Sequence, residues 1–194
     1  MWGFDGPDEP NSKREATMAV RGLNHAVLYV SDVARSVDFY TTVLGFEKLP
    51  IDYPGVAFLR GANSANDHDL GLFRATGARG ADGSVGLYHL AWEVETLAEM
   101  VATRDRMTAA GALSGAANHA ATKALYGRDP DGIEFEVTWL VPDHLVEAEL
   151  VVPVPPTRPL DLDAEIERYG LHTPGGPRTD RNLYARLAAL VKGE

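Results

Sequence analysis

Apolar and polar residues alternate along two stretches of the chain, residues 23–30 and 87–94, in the pattern of a half-buried β-strand. Each stretch carries a histidine at the same place, His25 in the first and His89 in the second. Each of these stretches is followed later in the chain by another β-type run, residues 68–73 after the first and residues 133–137 after the second. This recurrence indicates that one structural unit occurs twice in the chain.

A segment with helical spacing follows each of the two strands. Apolar residues at positions 33–44 form one stripe that begins after Asp32, a favourable N-terminal cap, and ends at Gly45. The second helical pattern runs from position 97 to Gly111, and short β-type runs follow both helices. The pattern therefore predicts two tandem βαβββ modules, over residues 22–75 and 86–140.

A single module of this kind has too small a core to be stable alone, so we expect the two to pack side by side. The predicted fold is α+β, with one curved mixed sheet that forms a half-barrel and with the helices outside. A flexible leader over residues 1–20 is expected before this domain, which spans residues 21–140. A Pro-rich extension over residues 141–194 is expected after it, with a short helix at 161–169 and a terminal amphipathic helix at 180–191.

Composition narrows the classes of function that fit the chain. A formal charge of −10 argues against nucleic acid as a partner, because phosphates favour clustered Lys and Arg side chains. No apolar run approaches the ~18 residues of a membrane span, so no membrane association is expected. The chain contains no cysteine, so any metal must be held by nitrogen and oxygen atoms, and a cytoplasmic location is the default expectation.

Strand alternation decides which side chains share a face of the sheet. In both repeated strands the histidine lies opposite the apolar row, and in the last strand Glu136 does the same. Two imidazoles and one carboxylate on one face suit Fe(II), Mn(II) or similar ions and leave coordination positions open. A lone strand histidine is more often structural than a ligand, but the repeat favours a metal site. Glu134 shares the face of Glu136 and is the alternative ligand.

Residues 22–140 resemble the vicinal oxygen chelate superfamily, which includes glyoxalases, fosfomycin-resistance transferases, methylmalonyl-CoA epimerases and extradiol catechol dioxygenases. Three features carry the resemblance: His25 within Leu-Asn-His-Ala-Val-Leu-Tyr-Val-Ser-Asp, the run Leu44-Gly45-Phe46, and Asp129-Pro130-Asp131-Gly132 followed four residues after the glycine by Glu136. This combination is specific for the fold and less specific for the reaction.

A finer resemblance is to the extradiol dioxygenases. The run His68-Asp69-Leu70-Gly71-Leu72 is similar to that family's His-Asp-x-Ala-Leu segment, which supplies an active-site histidine that is not a metal ligand. His119 and Tyr126, ahead of the Asp-Pro-Asp-Gly turn, also match the family's spacing. One departure is Ala120, which stands where the family usually has glycine.

The resemblance to extradiol dioxygenases implies a site, a substrate class and an assembly. The implied metal is Fe(II), with Mn, Zn or Ni as alternatives, and its implied ligands are His25, His89 and Glu136. The implied catalytic groups around the substrate are His68, His119 and Tyr126. The substrate would be a small aromatic molecule of the catechol type that is cleaved with O2, and the protein would be a homodimer.

Two other functions stay open on the sequence. A glyoxalase I-like lyase or isomerase would use a fourth metal ligand at the end of the first module, and direct coordination by His68 would favour that function. The other is a non-catalytic member of the same superfamily that binds a flat small molecule. Such relatives generally lack the metal residues, whereas this chain retains the full set.

Overall fold

The structure is a computed structural model that describes residues 20, 22–51, 53–146, 149, 157–176, 182 and 189. The first module contains β1 (Ala26–Val30), α1 (Val33–Thr42), β2 (Glu47–Lys48), β3 (Val56–Arg60) and β4 (Leu70–Arg74). The second contains β5 (His89–Glu93), α2 (Leu97–Ala109), β6 (Leu113–Asn118), β7 (Thr122–Arg128) and β8 (Glu134–Leu140). Two shorter helices, α3 (Asp143–Val146) and α4 (Leu162–Tyr169), follow in the C-terminal extension.

Local sequence explains where the two long helices begin and end. The Asp32 side chain caps α1 by accepting a hydrogen bond from the Arg35 amide at 3.1 Å. Gly45 follows that helix with a φ of 78°, a conformation that glycine adopts without steric cost. At the start of α2, Thr96 and Glu99 form a capping box. The predicted start and end of α1 are therefore confirmed.

Each module forms one four-stranded mixed sheet, and both sheets have the same topology. The strand orders are β1-β4-β3-β2 and β5-β8-β7-β6, with the first and last strands of each module parallel and the other pairs antiparallel. The predicted α+β fold is confirmed: two βαβββ modules with helices outside, consistent with a half-barrel. The hydrophobic pattern does not predict β6, because the sequence of this strand is rich in Ala and Gly. Its antiparallel pairing with β7 stabilises it.

One hydrophobic core joins the two modules on their helical side. The Phe39 ring of α1 meets Phe135 of β8 edge to face, with 5.9 Å between ring centroids. After α1, the Phe46 ring makes a similar contact with Trp92 of β5 at 5.0 Å. Among the described strands, none of one sheet is hydrogen-bonded to a strand of the other. Side chains from α1 and the segment after it therefore hold the modules together.

The described part of the C-terminal extension packs against the second module. Asp161 caps α4 by accepting a hydrogen bond from the Ala164 amide at 3.1 Å, which confirms the predicted helix at 161–169. Arg158 forms a β-bridge with Asn118 at the end of β6. Apart from single positions, the predicted leader and the predicted terminal helix lie outside the described residues. Among the described residues, no helix is long and apolar enough to cross a membrane.

Candidate metal centre and catalytic groups

The face of each sheet that points away from α1 and α2, here called the open face, carries the predicted site residues. Along β1 the alternation is clear, since Leu28 and Val30 are buried while Val27 and Tyr29 are 48% and 73% exposed. His25, just before β1, continues the exposed row. The predicted facing of the histidine-bearing strand is therefore confirmed for the first module.

The first module brings His25 and His68 together on its open face. The two ring centroids lie 4.3 Å apart. The Nδ1 atom of His25 lies 2.7 Å from the Oδ1 atom of Asn24, which can only accept, so Nδ1 donates this hydrogen bond, and in the neutral imidazole Nε2 then keeps its lone pair. This is the tautomer that a metal-binding histidine needs when it coordinates through Nε2.

His68 lies in a more enclosed environment than His25. Its ring contacts Phe58 edge to face at 5.0 Å between centroids, and its Nδ1 atom lies 3.2 Å from the Asp67 carboxylate. Its Nε2 atom is buried and has no hydrogen-bond partner among the described residues. A buried imidazole nitrogen without a partner is unusual in a protein interior and is available to a substrate hydroxyl group or to a metal ion.

The second module brings the other predicted residues together on its own open face. The Nε2 atom of His89 lies 3.1 Å from Oε2 of Glu136. The Glu136 carboxylate accepts through Oε1 a hydrogen bond from the Tyr126 hydroxyl at 3.4 Å. The same hydroxyl oxygen lies 2.8 Å from Nε2 of His119. His119, Tyr126 and Glu136 thus form a continuous polar chain that ends at His89.

The charge state of Tyr126 follows from its surroundings. Burial, and after it the negative charge and hydrogen bonding of Glu136, raise the pKa of Tyr126 to about 12. The phenol therefore stays protonated near neutral pH and can donate a hydrogen bond. Glu136 itself is 9% exposed, so its carboxylate faces a site of restricted water access.

Glu134, the alternative ligand, is engaged elsewhere. It lies directly opposite His89 in the parallel pairing of β5 and β8. Its carboxylate forms an ion pair with Arg128 of β7. This pairing leaves Glu136 as the carboxylate of the second module that meets a histidine.

Strand register reveals an asymmetry between the two modules. In the second module, Glu136 of β8 pairs with the residue two positions after His89. In the first module, Gly71 of β4 pairs with the residue two positions after His25. Gly71 is therefore the counterpart of Glu136, and it offers no side chain to a metal ion.

The space around Gly71 is filled by neighbouring side chains. A Cβ atom built on this glycine would meet Cγ2 of Val27 at 3.2 Å and Cε2 of Phe73 at 3.3 Å, with Cε1 of Phe58 at 3.6 Å. The first two distances require the neighbours to move by a few tenths of an ångström, whereas the contact with Phe58 is an ordinary van der Waals contact. The packing of the first module thus disfavours a ligating side chain at this position.

The predicted ligands form two half-sites in a single chain. The half-site of the first module contains His25 with His68, and that of the second contains His89 with Glu136. Across the described part of the chain, no three His, Cys, Asp or Glu side chains form a group that could hold a metal ion. Two clefts between the modules, of about 620 and 580 Å³, are lined by residues other than these ligands. Convergence of all three ligands thus stays a prediction.

Two features of the site were missed by the sequence reasoning. Thr157 of the C-terminal extension lies beside His119, with 3.5 Å between Oγ1 and Nδ1. Lys123 of β7 is fully buried behind the His119 turn. The lysine's place in an alternating strand gave no signal of burial, because a lysine is normally exposed.

Comparison with known proteins agrees with this architecture. The model of the Glyoxalase/Bleomycin resistance protein/Dioxygenase superfamily matches residues 22–137. A glyoxylase/bleomycin resistance protein/dioxygenase domain from Frankia sp. EAN1pec is 24% identical over 62% of this chain and 98% of its own, with a TM-score of 0.51. A glyoxalase/dioxygenase from Nostoc punctiforme is 19% identical over 70% of this chain and 97% of its own, with a TM-score of 0.53. These two likenesses show the fold alone. A search of curated proteins gave no significant match.

Proposed function

The chain belongs to the glyoxalase/bleomycin resistance protein/dioxygenase superfamily, and within it we propose that the protein is an Fe(II)-dependent extradiol dioxygenase that cleaves a catechol-type ring. The observation that carries the proposal is the arrangement of groups around each half-site. His68 lies beside the predicted ligand His25, and the Tyr126–His119 pair lies beside the predicted ligand Glu136. Each half-site thus combines metal donors with groups that can move or hold a proton.

We further propose that a homodimer completes the metal site, with His25 of one copy joining His89 and Glu136 of a second copy. Two observations support this assembly. The half-sites are separate within one chain, and each is bordered by exposed apolar side chains. Val27 and Tyr29 are exposed beside His25, and Leu87 and Tyr88 are 53% and 75% exposed beside His89. A two-fold dimer would join each half-site to its complement and would cover both apolar surfaces.

The donor set suits the proposed ion. Two neutral imidazoles and one carboxylate are the ligands of non-haem Fe(II) oxygenases, and they leave open positions for other ligands. When bound, such an ion would supply the redox chemistry that passes electron density from a catechol ring to O2. The hydrogen bond from Nδ1 of His25 to Asn24 orients that imidazole, as expected for a ligand. Mn, Zn or Ni would fit the same donors and remain alternatives for the metal assay.

The remaining side chains would handle protons and orientation. The unpartnered Nε2 atom of His68 would accept a proton from a catechol hydroxyl group and later return it to an oxygen atom of the ring-opened product. The Tyr126 hydroxyl, protonated near neutral pH, would donate a hydrogen bond to a substrate oxygen next to Glu136. His119 would fix the orientation of that hydroxyl through the 2.8 Å contact.

The glycine at position 71 favours an oxygenase over a glyoxalase I-like lyase. A lyase of that kind would use a fourth protein ligand from the first module, and because the counterpart of Glu136 there has no side chain, that ligand would have to be His68. Three protein ligands would leave such an ion with open positions for a catechol and O2. A non-catalytic binding protein would not need the polar chain from His119 to Glu136.

Oxygen uptake tests the proposed function. The protein is loaded with Fe(II) without air and is then mixed with a panel of catechols in air-saturated buffer. We expect O2 uptake matched by a yellow ring-opened product, and no uptake by the same protein loaded with Zn(II), which has no redox chemistry. Absence of uptake across the panel by protein that retains its iron would reject the dioxygenase. Substrate turnover without O2 uptake would favour the lyase.

A cytoplasmic location and the absence of nucleic-acid partners belong to the same proposal. The absence of cysteine and the formal charge of −10 support them.

A further inference from the structure

The C-terminal extension is bound to the hairpin that carries His119. Arg158 and Asn118 exchange two backbone hydrogen bonds, at 2.8 and 3.0 Å, beside the end of β6. The Asn118 side chain donates a further hydrogen bond to Glu165 of α4 at 2.7 Å. These residues of the extension lie beyond position 137, where the superfamily match ends. The contact between extension and hairpin is therefore an addition of this chain to the shared domain.

A buried ionic cluster forms the centre of this contact. The Nζ atom of Lys123 lies 3.0 Å from Glu149 and 3.2 Å from Glu165, and the Lys123 and Glu149 side chains are both 0% exposed. Glu149 also pairs with Arg158 at 3.1 Å and with Arg168 at 2.6 Å. Burying these charges is favourable only if each keeps its partners, so the extension and the hairpin can pack in only one arrangement.

The same lysine holds the turn between β6 and β7. Ala120 in this turn has a φ of 61°, and it is the one residue other than glycine with a positive φ among those that the structure describes. This left-handed conformation is unfavourable for an alanine. The Ala120 carbonyl accepts a hydrogen bond from Nζ of Lys123 at 3.1 Å, and its amide donates to the Asn118 side chain at 2.9 Å. The buried cluster thus stabilises a turn that an alanine would otherwise avoid.

His119 immediately precedes this strained residue, so the turn decides where the imidazole lies. Its backbone amide donates to the Thr122 carbonyl at 2.8 Å, which closes the turn. On the ring, Nε2 meets the Tyr126 hydroxyl at 2.8 Å and Nδ1 lies 3.5 Å from Oγ1 of Thr157. The imidazole is therefore held between β7 on one side and the C-terminal extension on the other.

We infer that the C-terminal extension is part of the catalytic apparatus, and that Lys123 is a positioning residue which fixes His119 against Tyr126 through the Ala120 turn. The hydrogen bonds and ion pairs of Lys123 go to the turn and to the extension and not to the predicted ligands, so it acts through the turn. The catalytic consequence rests on the proposed function, whereas the positioning itself does not. Glu149, Thr157 and Glu165 all lie outside the region that the superfamily model matches, so this contact lies outside the shared domain.

The test compares Lys123→Met with Arg106→Met in the full-length chain. Arg106 is a matched control, because it also makes partly buried hydrogen bonds, to the Val43 carbonyl and to Thr103, but lies on the helical side away from the hairpin. The readout is the set of ring nitrogen signals of the six histidines in a long-range ¹H–¹⁵N spectrum at one fixed pH. The His119 signals are identified by their loss in a His119→Gln variant.

We expect Lys123→Met to move the His119 ring signals to the averaged positions of an exposed imidazole and to leave those of His89 unchanged. Arg106→Met should leave the His119 signals in place even if it lowers the melting temperature. Unchanged His119 signals in folded Lys123→Met would overturn the inference, and so would an equal movement in Arg106→Met.

Two further measurements keep the inference testable. If Lys123→Met does not fold, Thr157→Val replaces it, since Thr157 is exposed and its loss should move the Nδ1 signal of His119 alone; no movement would overturn the contact. In the iron-loaded enzyme, Lys123→Met should lower kcat about 10- to 100-fold, the loss typical of removing a group that orients an active-site side chain, with bound iron unchanged. If the parent protein cleaves no catechol, the proposed function fails while the nuclear magnetic resonance result still decides the positioning.

Discussion

The two modules share a topology and a strand register, yet their open faces carry different chemistry. In the second module, Glu136 meets His89 and continues through Tyr126 to His119. In the first module, the position equivalent to Glu136 is Gly71, and close packing by Val27 and Phe73 disfavours a ligating side chain there.

What fills the open face of the first module instead is an imidazole that pairs with His25. His68 precedes β4, so it lies outside the register position of Glu136, and its Nε2 atom has no partner among the described residues. The comparison shows that two modules of one topology differ in the groups on their open faces: the second places a carboxylate beside its histidine, and the first places a second imidazole there. Under the proposed function, this asymmetry would leave coordination positions open on the ion.

The largest expected effect comes from removing the carboxylate that distinguishes the second module. Glu136→Ala should abolish iron binding at micromolar protein and iron, because two imidazoles alone are fewer donors than the three that catalytic metal sites keep. The measurement is iron content after anaerobic loading and desalting. Glu134→Ala is the matched control on the same strand and face, and it should retain iron because that carboxylate pairs with Arg128. Equal iron in both variants would contradict the assignment.

The next effect separates the two possible roles of His68. His68→Gln should lower kcat by about 10²- to 10⁴-fold, the usual range for loss of a general acid–base group, while bound iron stays at the parent level. Iron content and O2 uptake are measured on the same sample. Loss of iron in this variant would instead make His68 a fourth ligand, and the difference between the modules would then be smaller than proposed.

A stability measurement tests whether packing enforces the glycine. Gly71→Ala should lower the free energy of unfolding by about 1–3 kcal/mol, the cost of inserting a methyl group into filled space. Gly115→Ala in β6 is the control, since nothing lies within 4 Å of its Cβ position and neither glycine has a positive φ. Its effect should stay within about 1 kcal/mol. If both substitutions are equally neutral, the first module has room for a ligand after all.

The smallest expected effect is the pH dependence of stability that arises where the C-terminal extension packs against the second module. Burial would raise the pKa of Glu149, but hydrogen bonds from Tyr169 and Lys123 and the nearby positive charges outweigh it, so the pKa lies below its ordinary value of 4.5. The ionised carboxylate therefore stabilises the fold above about pH 4.5, and this contribution is lost as the pH falls through the lowered pKa.

Denaturation of the parent protein and of Glu149→Gln at a series of pH values tests the direction of this pH dependence of stability. The difference in unfolding free energy should be constant near neutral pH and should shrink below pH 4.5. A difference that grows as the solution becomes more acidic would mean that the carboxylate is destabilised in the folded state.

Much of the fold and part of the site could be predicted from sequence, because both depend on short-range periodicity. Alternation with a period of two places His25 and His89 on the face opposite the core, and this prediction does not depend on how the two modules pack together. The Asp32 cap and the glycine after α1 are equally local signals. They fix the bounds of elements within a few residues.

The rest depends on contacts between distant parts of the chain. Gly71 is recognised as the counterpart of Glu136 only from the pairing of β1 with β4. The sequence of either strand alone does not predict that register. Burial of Lys123 depends on Glu149 and Glu165, which follow 26 and 42 residues later. Alternation also says nothing about how the two open faces lie relative to each other. Alternation therefore predicts that the ligands lie on the same face of the sheet, but it does not predict whether they come from one copy of the chain or from two.

Complementation between two inactive variants tests most directly whether the metal ligands come from two copies of the chain. His25→Ala and Glu136→Ala are purified separately, mixed in equal amounts, allowed to exchange subunits, and assayed for bound iron and O2 uptake. In a shared site, each mixed dimer regains one intact set of ligands, so the mixture should recover about one quarter of the parent's iron and activity. No recovery in a mixture shown to contain mixed dimers would contradict a metal centre built from His25 of one copy with His89 and Glu136 of the other.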